Sequence, residues 1–440
     1  LAHEEHGTLP WADLFDDAVD LAEHGFPMPD RFHQTLRRLS SFREDPATAI
    51  FFDEDGAPLA VGEKVTNAEY ASTLRRLASD GAALFYSGAI ADAIIARVNG
   101  KTGEETMRKS DFLAYEPMRR KPLCKEFEGS TVCSMPPPSS GGVTLLQIMT
   151  MFKERAGRQV PADAVLAYLE ATRLAYADRG RFLGDPEAMG TEVFSSDALT
   201  KALISQPYLQ GRAMLIGKAP ASTVEPGNPS GSYMIREGRA DGVAYEVPST
   251  SHFSIRDGAG NVVSMTTTVE MPFGSQMMVA GMVLNNQLTD FSRVPGDGDK
   301  PAANAPGPGK RPMSSMTPVI VLDSEGVPSV VMGSPGGPAI IGYVAKPLLT
   351  HLLSDITLAD AIREHHLVVP RGSVIVENGG NDLKAKAEAL GYEVKEQRLT
   401  SGIYGFSLRS GALDLAIDPR REGTALAGDE ITTATAVAQP

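Results

Sequence analysis

The stretch that decides the fold runs from residue 246 to residue 271, "EVPSTSHFSIRDGAGNVVSMTTTVEM". Pro248 stops the preceding run, and Ser249, Thr250, Ser251 and His252 follow before any apolar alternation begins. Asp257 to Asn261 then reads as a hairpin loop of five residues with two glycines. Even positions on both arms are polar (Thr250, His252, Ser254, then Ser264, Thr266, Thr268, Glu270), and odd positions carry Phe253, Ile255, Val263, Met265, Val269 and Met271. A period of two predicts a hairpin with an apolar core face and a second face lined with hydroxyls. Pairing symmetric about Ala259 sets Thr250 opposite Thr268, with Glu270 one diagonal step away. Taken alone, such threonines also fit an ordinary solvent face, because Thr favours strands.

A hydroxyl nucleophile needs a base, and histidine is the usual one. No G-x-S-x-G elbow occurs, and His252, two residues from Thr250, suits a structural strand histidine better than a base. The remaining option is a threonine that uses its own α-amine. Cleavage before Thr250 would free an amine with a pKa near ~7.7–8.0, already a suitable base for the adjacent hydroxyl. Developing negative charge also needs donors. In "VVMGSPGGPAII" a strand ends at Gly333, the turn Ser334 to Gly337 exposes N–H groups, and a helix begins near Pro338. A tight turn without a ligand is the alternative for Gly336 and Gly337.

Composition narrows the classes. The chain has 440 residues, 42% hydrophobic and 22% charged, as in a soluble globular protein with room for two domains or one large layered one. A formal charge of −14 argues against nucleic acid or an anionic membrane surface as partner. No apolar run is long enough to span a bilayer. Residues 1 to 9 carry neither a basic nor an apolar targeting segment. "CKEFEGSTVC" reads as a hairpin turning at Glu128 and Gly129, which sets Cys124 opposite Cys133. A disulfide and a pair of reduced strand cysteines both fit, and a bridge would favour an oxidising compartment.

Helical periodicity dominates the first half: "WADLFDDAVDLAEHG", "TNAEYASTLRRLASDG" with a Thr66/Glu69 capping pattern, "AALFYSGAIADAIIARVNG" and "VLAYLEATRLAYADRGRFLGDP". The second half is mostly strands, with a late helix at "DLKAKAEALG". This segregation predicts an α+β fold. Residues 217 to 249 have linker composition, rich in Gly, Pro and Ser. Ser292 to Lys310 shows no period and is expected to be a mobile segment near the mouth of a pocket. Metal binding has little support, since "HEEH" at the start lacks zincin spacing and His365-His366 reads as a packing or surface pair.

"TSHFSIRDGAGNVVSMTTTVEMPFGS", "LNNQLTDFS", "KRPMSSMTP", "GSPGG" and "SMPPPSSGG" together resemble the γ-glutamyltranspeptidases (glutathione hydrolases) of the N-terminal nucleophile hydrolase superfamily. The similarity runs over nearly the whole sequence. It implies a four-layer αββα sandwich made as one precursor. That precursor cuts itself into a large portion, residues 1–249, and a small catalytic subunit, residues 250–440. By position, Thr250 matches the nucleophile, Ser249–Thr250 the scissile bond, and Thr268 the hydroxyl that bonds the nucleophile. Gln287 and Asp290 match residues holding the substrate's α-amino group, Ser314 and Ser315 those on its α-carboxylate, and Gly336 and Gly337 the oxyanion hole. The implied substrates are a γ-glutamyl donor and water, an amino acid or a peptide as acceptor. No cofactor is implied, and the location is periplasmic or secreted.

Three positions depart from the pattern. Ser251 stands where the family usually has Thr, and Glu270 where well-characterised glutamyl enzymes have Asn. The family's front segment, with an Arg that meets the α-carboxylate, is not among these residues, so the sequence is expected to be part of a longer chain. Glu270 keeps a second reading open, an amidase of the same fold such as a cephalosporin (glutaryl) acylase. A third is a catalytically silent binding protein that never processes.

Overall fold

The computed structural model describes residues 1–189, 195–229, 239–242, 249–409, 411–428 and 434–436. These form two compact units, one of Leu1–Arg119 with Met271–Asn286, the other of Arg120–Glu270 with Gln287–Pro440. In the first unit, helices Asp16–His24 and Ala68–Asp80 follow the predicted periodicity. The second starts one residue later than the Thr66/Glu69 pattern implies. Asn67 is the cap, its side chain accepting the Tyr70 N–H, because Asn is the better capping residue at that step. The predicted helix over "AALFYSGAIADAIIARVNG" breaks at Gly88 into Ala83–Ser87 and Ala89–Thr102. A phenylalanine cluster closes this unit, with Phe42 and Phe273 stacked at 4.5 Å.

The second unit is layered. Strands β1 (Leu123–Phe127) and β2 (Ser130–Ser134) form the cysteine hairpin. Helices α1 (Gly141–Ala156) and α2 (Val165–Phe182) follow. Next come β3 (Thr250–Arg256), β4 (Val262–Thr268), β5 (Val319–Leu322), β6 (Pro328–Gly333), α3 (Ile340–Leu353), β7 (Tyr404–Arg409) and β8 (Ala412–Ile417). Six strands make one sheet in the order β8-β7-β6-β5-β2-β1. The sheet therefore joins strands from both sides of Ser249, β2 pairing with β5 at Cys133 and Ile320. Cys124 and Cys133 pair in register and form a disulfide, which resolves the alternative left open by the sequence.

Period-2 alternation on β6 sends Val330 and Met332 into the helix layer, where they pack with Leu145, Phe152, Tyr168 and Val344. The opposite face receives the β3–β4 hairpin. A Cβ at Gly333 would run into the His252 ring, so glycine there lets the hairpin approach closely. Ser264 Oγ donates to the Met332 carbonyl at 3.0 Å and Ser254 Oγ to the Tyr404 carbonyl at 3.0 Å.

This corrects the expected facing of the hairpin. Its hydroxyl side is turned inward, with Thr250 and His252 buried, whereas Phe253, Ile255, Val263 and Met265 are 39–51% exposed. The hydroxyls and imidazole fit the inner position because the sheet beneath offers carbonyl acceptors. The expected linker is partly docked. Gly227 N–H donates to Asp178 and Gly242 N–H to the Gly180 carbonyl, both on α2, while residues 230–238 and 243–248 lie outside the described residues. Ser292 to Lys310 is not a structureless connection. Gly296–Asp297 pairs with Lys300–Pro301, and Ala302 to Ala305 are buried. No helix among the described residues is long and apolar enough to cross a membrane.

Candidate active site

Thr250 opens β3 and pairs with Thr268 in the register predicted from the loop. Asp257 fixes that loop by accepting the Ala259 and Asn261 N–H groups on Oδ1. The Thr250 hydroxyl donates to Thr268 Oγ1 at 3.2 Å, and Thr268 Oγ1 donates to the Ser249 carbonyl at 3.0 Å. Thr268 Oγ1 also accepts the Glu270 N–H at 2.9 Å, so its one proton and both lone pairs are engaged. A directed chain of hydrogen bonds thus links the hydroxyl of residue 250 to the carbonyl immediately before it.

His252 lies on the same buried face and does not enter this chain. Its Nδ1 meets Thr266 Oγ1 at 2.9 Å and its Nε2 meets Ser254 Oγ at 3.1 Å. Burial pushes its pKa down to about 3, so the ring is neutral at physiological pH. Hydrogen bonds at both ring nitrogens are those expected of a structural strand histidine.

A small cleft in front of Thr250 is lined by Thr268, Glu270, Gln287, Asp290, Ser314, Ser315 and Gly337. Glu270 is 3% exposed and holds φ at 75°, a conformation uncommon for a side chain with a Cβ. A short 3₁₀ turn, Gln287–Asp290, lets the Gln287 amide donate to the Asp290 carboxylate. The Asp290 carbonyl is held by Asn304 Nδ2 at 2.7 Å, from the segment expected to be mobile. Gly336 and Gly337 have φ of 143° and 58°, and a Cβ on Gly336 would strike the Tyr343 ring. The turn therefore requires glycine and carries the backbone from β6 into the 3₁₀ turn Gly337–Ala339 and on to α3. Every residue assigned to the site from the sequence lies in this cleft or, for Ser249 and Gly336, directly beside a residue that lines it.

Sequence reasoning missed the layer behind the cleft. Arg421 Nη1 donates to the Thr250 carbonyl at 2.9 Å and Arg421 Nε to the Thr400 carbonyl at 3.0 Å. Ser140 Oγ donates to the Ser314 carbonyl at 2.7 Å, and Arg179 Nη2 donates to Ser315 Oγ at 2.8 Å. Both arginines sit in charge-rich segments, "ADRGR" and "DPRRE", where a linear reading gives no sign that they are buried.

Comparison with known proteins gives the family. Residues 1–428 match the family model described as gamma-glutamyltranspeptidase. The glutathione hydrolase proenzyme of Escherichia coli (strain K12) is 32% identical over 451 residues, covering 97% of this chain and 73% of that protein. That of Bacillus subtilis (strain 168) is 30% identical, covering 97% and 72%. The capsule biosynthesis protein CapD proenzyme of Bacillus anthracis is 29% identical, covering 96% and 73%. Among solved structures, a cephalosporin acylase from Bacillus halodurans superposes with a TM-score of 0.80 at 22% identity, covering 98% of this chain and 75% of that one. That likeness is one of fold, and it bears out the expected α+β sandwich. By the family match and these relatives, the chain belongs to the γ-glutamyltranspeptidase family.

Proposed function

We propose that this chain is a self-processing γ-glutamyl hydrolase and transferase with Thr250 as its nucleophile. The observation that carries the reading is the hydrogen-bond chain from Thr250 Oγ1 through Thr268 Oγ1 to the Ser249 carbonyl. Thr268 polarises that carbonyl while it orients the attacking hydroxyl. Thr250 Oγ attacks the Ser249 carbonyl carbon, the C–N bond to Thr250 breaks, and the nitrogen takes the hydroxyl proton. Water then opens the resulting ester to a Ser249 carboxylate and a Thr250 with a free α-amine.

In turnover that amine accepts the Thr250 hydroxyl proton and the oxygen attacks the γ-carbonyl of the donor. The leaving amine takes the proton, and a γ-glutamyl ester remains on Thr250. Water gives hydrolysis, and the amine of an amino acid or peptide gives transfer. Asp290 and Gln287 receive the donor's α-ammonium, Ser314 and Ser315 its α-carboxylate, and the Gly336 and Gly337 N–H groups the oxyanion. After the cut, residues 1–249 and 250–440 stay joined through the ladder of β2 on β5. The Cys124–Cys133 disulfide favours an oxidising location, periplasmic or secreted.

A denaturing gel and an anilide assay test this together. The wild type should run as two fragments and release anilide from the γ-glutamyl donor, and Thr250→Ala should give one band and no turnover. Two fragments from Thr250→Ala overturn the nucleophile, and an uncut wild type would return the silent binding protein.

A further inference from the structure

We infer that Arg179 is the buried positive charge that sets Ser314 and Ser315 to receive the donor's α-carboxylate. This rests on the reading above and adds a positioning residue to it. Arg179 lies on α2, 8% exposed, with its guanidinium over the Tyr176 ring at 5.7 Å. It holds the Ser314-Ser315 pair directly at Ser315 and through Ser140 at Ser314. Nη2 donates to Ser315 Oγ at 2.8 Å, and Nε donates to Ser140 Oγ at 2.8 Å. Ser140 then passes the hold to the Ser314 carbonyl, through its hydroxyl at 2.7 Å and its N–H at 2.8 Å.

Proton direction follows from this wiring. A guanidinium has donors only, so Ser315 Oγ must accept from Arg179 and is left to give its own proton elsewhere. Ser315 lines the cleft, and an anion placed there is the natural acceptor. A hydroxyl whose oxygen is held by a cation is also a stronger donor. The charge pattern agrees. Glu270 and Asp290 make the cleft's own ionisable lining acidic, which disfavours a carboxylate unless a cation supports the groups that receive it. Arg179 supplies that support through its hydrogen bond to Ser315.

Arg179→Met and Arg179→Lys are compared with the wild type on two donors. One is the γ-glutamyl anilide. The other is the 4-aminobutyryl anilide, which keeps the ammonium and lacks the α-carboxylate. The wild type should prefer the first. In Arg179→Met, kcat/KM for the γ-glutamyl donor should fall about tenfold to a hundredfold, mainly through KM, as for loss of a charged hydrogen bond. The value for the 4-aminobutyryl donor should stay within about twofold, and Arg179→Lys should recover part of the loss. An equal fall on both donors would show a merely structural arginine and overturn the inference. A wild type without preference would instead fail the underlying substrate reading. If Arg179→Met does not fold, the same selective rise in KM must appear in Arg179→Lys and Ser140→Ala, and its absence from both overturns the inference.

Discussion

Replacing His252 by Gln asks which group takes the nucleophile's proton. The imidazole is 6% exposed and hydrogen-bonded at both nitrogens, and burial pushes its pKa down to about 3. At pH ~6.5 about one ring in three thousand then carries a proton, and exclusion of that proton is worth on the order of 5 kcal/mol. Because the folded pKa lies below the unfolded one, the unfolded chain binds the extra proton. This contribution is fully present above pH ~6.5 and is lost as the pH falls toward about 3. His366, lowered by burial first and then by Arg420, adds stability loss of the same sign.

Histidine carbon-proton NMR resonances followed against pH give the assay, with the His252 signal identified by its absence from His252→Gln. It should not titrate above pH ~4, and a midpoint between about 6 and 7 would refute the buried neutral ring. The rate profile is the functional counterpart. If the Thr250 α-amine is the base, the acid limb of kcat should lie at the same pH in His252→Gln as in the wild type. Disappearance of that limb in the variant would return the histidine to the mechanism.

Thr268→Val removes the donor to the Ser249 carbonyl and should slow self-cleavage by about 10²–10³-fold on a timed gel, while Thr268→Ser cuts normally. Wild-type speed in Thr268→Val would dismiss that donor. The wild type should favour γ-glutamyl over matched glutaryl amides by at least roughly thirtyfold in kcat/KM, since a glutaryl group leaves the buried Asp290 without its ammonium at a cost of about 2–5 kcal/mol. Asp290→Asn should lose most of this preference and still self-cleave, and equal wild-type rates on the two donors would favour the acylase reading. Opening the Cys124–Cys133 bridge, which spans 9 positions, should lower the melting temperature, the chain-entropy loss being about 2.5–3 kcal/mol. An unchanged melting curve under reductant would argue against the bridge.

By itself the sequence determined the β3–β4 hairpin and its register. The Asp257 turn is local, and a symmetric loop leaves one pairing in which Thr250 meets Thr268. The same reasoning placed Cys124 opposite Cys133, although only the folded structure showed the bridge. It placed the Gly336-Gly337 turn too, because positive φ is written locally as glycine. Which side of the hairpin faces inward was decided by tertiary structure. Alternation separates two faces without ranking them, and here the carbonyls of β6 and β7 make the hydroxyl face the better fit. Arg179, Ser140 and Ser315 likewise lie far apart along the chain, on α2, at the start of α1 and before β5. Their chemistry exists only once α1 and α2 pack on the sheet, since a hydrogen bond depends on distance in space and periodicity records distance along one element alone.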